Sequence, residues 1–439
     1  MIALDDPSVI LMSKTKPNKT ERDNHMISVN NQIGRAGTAF IALALLASAC
    51  GSDAKTTPVS SAPSTAASTT APSTAGTTAA TTGATTGSTP GTTATTTAAG
   101  GAGVTAAGIS DARCAENKAA GKITYLSSFD FAAAASIIDV VVAKDKGYFD
   151  KMCLTVDLKP SFSTSNYPLV AAGTAQFSSA GSYTEILNYS KDGAKFVATV
   201  DYGKAPVEAL ITKDGGATTL AALKGKTIGV KGDLPPSIVA MLAKAGLKRG
   251  ADYKEVLLDG FDPQAQLAQA IDALPVYKSN EPGQLDRAGV KYTIFDPAKM
   301  DVAGSFGLIY TSAKFAADHP TAVADFSRAA LKGMEDAIAD PAGAVKIALK
   351  LIDAAGNANF LTQQGETYRL TQEIGIVKAS TPAGEPVGLI DAAVFDNEYK
   401  TYVEAGVWPK GAPTDGKYYD AALAKSLYGK DGKVIWPTG

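Results

Sequence analysis

The sequence has little histidine, tryptophan and cysteine for its length. Among 439 residues there are two histidines, two tryptophans and three cysteines. The histidines, His25 and His319, leave almost nothing for imidazole catalysis or for a metal site built from several histidines. We therefore expect no metal and no cofactor.

Excess charge of either sign is also missing. The formal net charge is -2, and no cluster of lysine and arginine with interleaved aromatics provides a surface for phosphate backbones. Nucleic acid is therefore excluded as a partner. The nucleophile elbow G-x-S-x-G, the zinc motif H-E-x-x-H and the phosphate loop G-x-x-x-x-G-K-[ST] are absent as well. The chain is not expected to be an enzyme.

The first fifty residues have the composition of an export signal. Arg35 precedes the apolar run AFIALALLASA, which is short for a membrane span and ends directly before Cys50. The last five residues of this stretch, Leu46 to Cys50, resemble the lipobox of bacterial lipoproteins. We predict a signal peptide over 1–49, lipidation of Cys50 and an extracytoplasmic protein anchored to the bacterial membrane. A plain signal peptide and a translation start at Met26 stay open.

A low-complexity segment follows the predicted lipid anchor. Residues 50–108 consist almost wholly of Thr, Ala, Ser, Gly and Pro and have no periodic apolar face. Such a segment buries too little apolar surface to offset the entropy of ordering. It is predicted to be a disordered tether.

Cys114 and Cys153 remain once Cys50 is assigned to lipid. Export places them in an oxidising compartment, and each precedes an apolar stretch typical of a strand. If the two strands are parallel neighbours, both cysteines lie at the same end, which predicts a disulfide. Two separate buried thiols are the alternative.

From residue 122 onward, short apolar runs typical of strands alternate with helical patterns. This alternation predicts an α/β protein with parallel-type sheets flanked by helices. The chain is expected to cross between two lobes near residues 203–212 and again near 302–308. Lobe 1 would comprise 109–206 and 306–439, the latter largely helical, and lobe 2 would comprise 207–305. Parallel sheets present ligand-binding loops at their strand ends, so the cleft between lobes is the expected site.

Four segments resemble the type II periplasmic solute-binding proteins of the sulfonate, nitrate and thiamine-precursor branch. They are AKDKGYFDKMCLTVDL (143–158), LVAAGTAQFSSAG (169–181), LAALKGKTIGV (220–230) and SNEPGQLDRAGV (279–290). The resemblance implies a two-lobed fold, a small-molecule solute and the permease of an ABC importer as partner. A monomer is expected.

One departure from the family bears on the ligand and on catalysis. Thiamine-precursor binders have a motif resembling D-W-x-P-N-x-x-H in the first loop, where this chain has Asp130 to Ile137. A thiamine-pyrimidine synthase of the same fold uses the histidine that corresponds to Ile137, so neither its chemistry nor the pyrimidine ligand is supported. A ligand-binding sensor without a transporter stays open.

The candidate ligand-binding residues lie in loops at the predicted strand ends and in the segment that matches the N-E-P motif. They are Ser128, Phe129, Asp130, Phe131, Ser179, Gly181, Tyr183, Tyr202, Asp233, Ser237, Tyr277, Asn280 and Glu281. Their aromatic rings suit stacking on a ring-containing solute. The arginines of the folded body lie in helical stretches, which argues against a strongly anionic ligand.

Overall fold

The computed structural model describes residues 103–190, 193–408 and 411–438. The predicted signal peptide, Cys50 and most of the predicted tether lie outside these residues. Across the helices that are described, none combines the length and apolar composition needed to span a bilayer.

The strands of the described residues form one short hairpin and two five-stranded sheets. They are β1 (Val104–Thr105), β2 (Gly108–Ile109), β3 (Lys122–Leu126), β4 (Thr155–Lys159), β5 (Phe177–Ala180), β6 (Phe196–Gly203), β7 (Glu208–Lys213), β8 (Thr227–Val230), β9 (Lys254–Leu257), β10 (Ala273–Tyr277), β11 (Tyr292–Phe295) and β12 (Phe306–Ser312).

Helices connect the strands and form most of the C-terminal part. They are α1 (Asp111–Ala119), α2 (Ile138–Asp145), α3 (Tyr148–Lys151), α4 (Ser163–Ala171), α5 (Tyr183–Ser190), α6 (Pro236–Lys244), α7 (Pro263–Leu267), α8 (Glu281–Arg287), α9 (Ala313–Asp318), α10 (Pro320–Ala339), α11 (Pro341–Ala354), α12 (Gln363–Ser380), α13 (Ala392–Glu404) and α14 (Ala421–Ser426). Two short 3₁₀ helices, Leu220–Leu223 and Pro297–Met300, lie near the second sheet.

The predicted α/β architecture is confirmed, with two strands running against the predicted direction. The first sheet has the order β4-β3-β5-β12-β6 and the second the order β11-β7-β10-β8-β9. In the first sheet β12 is antiparallel to β5 and β6, and in the second β7 is antiparallel to β10 and β11.

The two reversed strands have a common physical cause. β7 and β12 are the strands that the chain enters directly after crossing from the other sheet. The crossing begins at the edge where parallel strands end, so the next strand must start from that same edge and run the opposite way. The prediction of parallel-type sheets was wrong for these two strands for this reason.

Both faces of the first sheet are covered, which explains its apolar strands. Along β12, Leu308 and Tyr310 join one core cluster and Ile309 the other, because successive side chains of a strand point to opposite faces. Helix α10 contributes Phe326, whose ring stacks on Phe177 with centroids 3.9 Å apart. The C-terminal helices therefore belong to the core of the first lobe.

One predicted boundary needs correction, and one strand was not predicted. Residues 103–109 form the β1–β2 hairpin, and Val104 is 2% exposed, so the C-terminal end of the predicted tether belongs to the folded body. The unpredicted strand is β10, which follows α7. Pro275 obscured this strand in the sequence; β10 pairs with β8 only at Ala273, so the missing N–H of Pro275 costs no bond to β8.

The predicted disulfide between Cys114 and Cys153 is confirmed, with a Cα–Cα distance of 5.3 Å. Cys114 lies in α1 before β3, and Cys153 lies in the turn before β4. The two strands are parallel neighbours, so the shared end of the strands brings the cysteines together. The bond fastens α1 to the edge of the first sheet.

Replacing both cysteines by serine should lower the free energy of unfolding by about 4 kcal/mol, because the bond closes a loop of 39 residues in the unfolded chain. Urea unfolding followed by circular dichroism measures this difference. The reduced parent protein is the matched control and should match the variant. Equal unfolding midpoints for the oxidised parent and the double variant would contradict the prediction.

Candidate functional site

A cavity of about 580 Å³ lies between the two sheets. Its walls come from the loops after β3, β5, β8 and β10, from the starts of β7 and β12, and from α12. This volume falls within the range of pockets that enclose small organic molecules. A second depression of about 650 Å³ between α8 and α12 is more open to solvent and is lined by none of these loops, so we place the site in the cavity between the sheets, here called the cleft.

The loop after β3 forms the cleft wall of the first lobe. Asp130 and Ser136 have positive φ angles of 48° and 65°, and such strained loop backbone persists only when its surroundings hold it. The loop is held by α12, since Glu366 accepts a hydrogen bond from the N–H of Ala133 at 2.7 Å and Glu373 accepts one from Ala135 at 2.6 Å. The loop is thereby fixed for contact with a ligand.

The start of β12 comes very close to this loop. A Cβ atom at Gly307 would lie 2.8 Å from the Cβ of Ala135, and φ of Gly307 is 70°. Only glycine meets both conditions without displacing a neighbour. The close contact keeps the second crossing packed against the first-lobe wall.

The second lobe supplies its wall from three strand ends. Glu208 opens β7 and pairs in register with Tyr277 at the end of β10, so these two side chains are cross-strand neighbours. Beyond β8, Lys231 donates a hydrogen bond to Glu281 at 2.5 Å, and Glu281 also accepts from the N–H of Tyr277 at 2.8 Å. Glu281 therefore orders the loop that carries Tyr277.

Helix α12 joins the two walls. Besides its bonds to the first-lobe loop, Glu373 accepts a hydrogen bond from the hydroxyl of Ser279 at 2.9 Å. Arg369 donates to the side-chain oxygen of Asn280 at 3.1 Å and to Glu366 at 3.2 Å, and its guanidinium lies 5.8 Å from the centroid of the Phe129 ring. One helix thus contacts the cleft loops of both lobes.

Seven of the candidate residues line the cleft. They are Ser128, Phe129, Gly181, Asp233, Tyr277, Asn280 and Glu281.

The other six candidates are held in the protein interior. Phe131 is 4% exposed and Asp130 is 6% exposed, with Asp130 accepting from the N–H of Phe131. Ser179 and Tyr202 are fully buried. The hydroxyl of Tyr202 donates to Asp139 at 2.6 Å. Ser179 and Tyr202 lie on strands, and Asp130 and Phe131 lie in the loop after β3. All four are buried, so they do not line the cleft as predicted.

Tyr183 and Ser237 occupy the first turns of helices and also turn inward. The ring of Tyr183 stacks on Phe395 with centroids 4.2 Å apart. Ser237 is 2% exposed and donates a hydrogen bond to Glu208 at 3.0 Å. Ser237 therefore positions a cleft residue without lining the cleft itself.

Several lining residues were not predicted from the sequence. Glu185, Glu208, Lys231, Arg369 and Glu373 are charged, while Phe162, Phe261 and Phe306 are aromatic. Arg369 and Glu373 lie in the C-terminal helical part, almost a hundred residues from the nearest candidate, where a helical charge pattern has no feature that marks a cleft. Glu208 and Lys231 adjoin the predicted strand ends and could have been selected by the same reasoning as Asp233.

Burial dominates the electrostatics of the cleft acids. It raises the pKa of Glu185, Glu208 and Glu373, and the charge of Glu208 raises the pKa of Glu185 further. Within the three described stretches of the chain, no group of three or more His, Cys, Asp and Glu side chains is placed to hold a metal ion.

The second crossing is tied to the first lobe by a buried acid. Glu398 of α13 accepts hydrogen bonds from the N–H of Thr184 at 3.0 Å and from the hydroxyl of Ser305 at 2.6 Å. Ser305 directly precedes β12. Burial raises the pKa of Glu398 from 4.5 to about 7.

Two α/β lobes with a cleft between them are the defining features of the periplasmic-binding-protein fold, and this chain has that fold. Solved structures support this class. The periplasmic sulfonate-binding protein SsuA from Methylobacillus flagellatus KT aligns with a TM-score of 0.50 and 15% identity, covering 70% of this chain and 93% of that one. The alkanesulfonate-binding protein SsuA from Xanthomonas axonopodis pv. citri, bound to MOPS, aligns with a TM-score of 0.50 and 16% identity, covering 68% and 98%.

The chain also matches a protein family. Residues 134–344 match the family model described as NMT1/THI5 like, which confirms the resemblance to this branch of solute-binding proteins. The riboflavin-binding protein RibY of Chloroflexus aurantiacus is 28% identical over 244 residues, which is 53% of this chain and 66% of the relative. This chain therefore spans just under two thirds of that relative.

Glu398 makes stability depend on pH with a defined sign. Because its pKa is raised in the folded state, the folded protein holds the proton more tightly, and stability falls as pH rises from 4.5 to about 7. Glu398→Gln should remove about 3 kcal/mol of this fall, since the uncharged amide can accept from Thr184 through its oxygen and donate to the Ser305 hydroxyl through its NH2. Urea unfolding across this pH range measures it.

The exposed Glu404 at the end of the same helix offers a control, because Glu404→Gln changes the same charge without burial. This variant should follow the parent profile. Parallel pH profiles for Glu398→Gln and the parent would show that the buried acid does not carry the dependence.

Proposed function

We propose that this chain is an extracytoplasmic solute-binding protein, anchored by a lipid at Cys50, that delivers a small ring-containing organic molecule to an ABC importer. The observation that carries the proposal is the enclosed cleft of about 580 Å³ between two α/β lobes. Loops from both sheets contribute to it, as ligand capture between two hinged lobes requires.

The aromatic lining supports a ring-containing solute. Phe129 and Phe162 pack edge to face in the first-lobe wall with centroids 5.7 Å apart. On the other wall Tyr277 is 49% exposed, so its ring is free to contact a ligand. Exposed aromatic faces on both sides of a cavity favour a flat molecule between them.

Closure of the lobes follows from the two crossings and from α12. We assign lobe 1 to 109–206 and 306–439 and lobe 2 to 207–305. A ligand that touches both walls stabilises the closed arrangement through contacts that the open arrangement lacks. The closed, monomeric complex would then be recognised by the permease.

Two alternatives use the same body. A sensor would bind the same solute and signal without a transporter, so growth on the identified solute after deletion of the gene separates it from an importer. A synthase like that of the thiamine-pyrimidine pathway would need a histidine where Ile137 lines the cleft. His319, the histidine within the described residues, is not among the lining residues.

Ligand binding in the cleft is tested with the solute that co-purifies with the mature chain. Mass spectrometry identifies this solute. Tyr277→Ala should remove stacking of about 1 kcal/mol and weaken the binding of that solute about fivefold in calorimetry. Small-angle scattering of the parent should show compaction on binding.

Phe360→Ala is the matched control, because Phe360 is 86% exposed and lies outside the cleft. It should bind like the parent. By contrast, Phe131→Ala should mainly reduce stability, by about 3–5 kcal/mol, since Phe131 is a core residue. Equal affinity of Tyr277→Ala and Phe360→Ala, or no compaction, would place the site elsewhere.

The lipid anchor is tested by Cys50→Ala, which should release the protein from the membrane fraction because no other anchor is proposed. The intact mass of the parent should exceed the sequence mass of the chain from Cys50 by the attached lipid. Cys114→Ser, which leaves Cys50 intact, should remain in the membrane fraction. Membrane retention of Cys50→Ala would contradict lipidation.

A further inference from the structure

The lining of the cleft is unevenly charged. It contains the carboxylates of Glu185, Glu208, Asp233, Glu281 and Glu373 but only two cationic side chains, Lys231 and Arg369. The contacts of each group show which of these charges are compensated by the protein itself.

Both cations already have carboxylate partners. Lys231 pairs with Glu281 at 2.5 Å. Arg369 pairs with Glu366 at 3.2 Å and donates a further hydrogen bond to the side-chain oxygen of Asn280. A sulfonate or carboxylate on a solute would have to compete with these partners, so the two cations attract an anion less strongly than unpaired cations would.

The other cleft acids differ in how they are satisfied. Glu373 is 5% exposed, accepts from Ser279 and from a backbone N–H, and lies near the cation of Arg369, whose charge counteracts the rise of its pKa on burial. Asp233 is paired with Arg249 at the rim. Asp233 and Glu373 therefore have their negative charges compensated by cations of the protein. Glu185 and Glu208 are the cleft acids whose charges still lack such a partner.

Glu185 and Glu208 come from opposite walls. Glu185 lies in α5 of the first lobe and accepts from the N–H of Gly181 at 2.7 Å, while Glu208 opens β7 of the second lobe and accepts from Ser237 at 3.0 Å. Among the described residues, neither forms an ion pair. The nearby ammonium of Lys278 is paired with Asp296 at 2.9 Å.

Aromatic rings stand beside these carboxylates. Tyr277 is the register partner of Glu208, and both line the cleft together with Glu185. Phe129 and Phe162 cover the opposite wall. Ring faces next to carboxylates are a favourable surrounding for a cation, which gains from the carboxylate and from the π-face at once.

We propose that the cleft selects a ring-containing solute with a protonated nitrogen, held between Glu185 of one lobe and Glu208 of the other. The proposal rests on the proposed function and adds the charge class of the solute. A cation between the two carboxylates removes their mutual repulsion as the lobes approach, so the solute's charge promotes closure.

The test uses three planar probes of nearly equal shape: benzamidine, which is cationic, benzamide, which is neutral, and benzoate, which is anionic. Calorimetry at neutral pH should give the tightest binding for benzamidine, by at least about tenfold over benzamide, because a charged hydrogen bond contributes that much. Benzoate should bind most weakly.

Variants assign the preference to the two acids. Glu185→Gln and Glu208→Gln should each weaken benzamidine binding about tenfold or more and leave benzamide within about twofold. Glu404→Gln, which removes an exposed charge away from the cleft, should bind all three probes like the parent. Thermal unfolding of each variant shows that the fold is retained.

The outcomes separate this proposal from the proposed function. Preference for benzoate, equal binding of the three probes, or no binding of any of them would overturn the cationic class. If the co-purified solute nevertheless binds and compacts the protein, the binding function stands and only the charge class fails. If neither that solute nor any probe compacts it, both proposals fail.

Discussion

The organisation of the molecule depends on where the chain crosses between the two sheets. Each crossing begins at the edge at which the parallel strands end, so the strand after it starts from that edge and runs backwards. This constraint makes β7 and β12 antiparallel to their neighbours. It also gathers the loops of both sheets, together with the starts of the reversed strands, around one cavity.

Helix α12 adds a second connection between the lobes at that cavity. Its acids bind the N–H groups of Ala133 and Ala135 in the first-lobe loop, and the same helix reaches Ser279 and Asn280 in the second lobe. Hydrogen bonds between a carboxylate and backbone N–H groups are among the stronger ones in proteins. The C-terminal helical part is therefore a component of the cleft as well as of the core.

Charge in the cleft is arranged by the same contacts. Lys231 and Arg369 are compensated within the protein, whereas Glu185 and Glu208 line the same cleft from different sheets without an ion-pair partner among the described residues. Fold similarity to sulfonate-binding proteins accordingly does not transfer their ligand to this chain.

The sequence by itself determined the α/β class, the Cys114–Cys153 bond and the loop after β3 that carries Phe129, because alternating apolar runs and cysteine placement are local features. Tyr277 and Glu281 were found through the N-E-P motif, since the strand before them was not predicted. It could not show that Tyr202 turns into the core, since one residue of register decides which face of a strand a side chain takes. Nor could it show that Phe131 in a loop and Tyr183 at a helix start are buried, because that depends on contacts with distant residues such as Phe395. Only the tertiary structure brought Arg369 and Glu373 to the cleft. It also decided which charged side chains of the cleft have an ion-pair partner and which do not. Those decisions depend on contacts between residues far apart in the chain, which no local pattern contains.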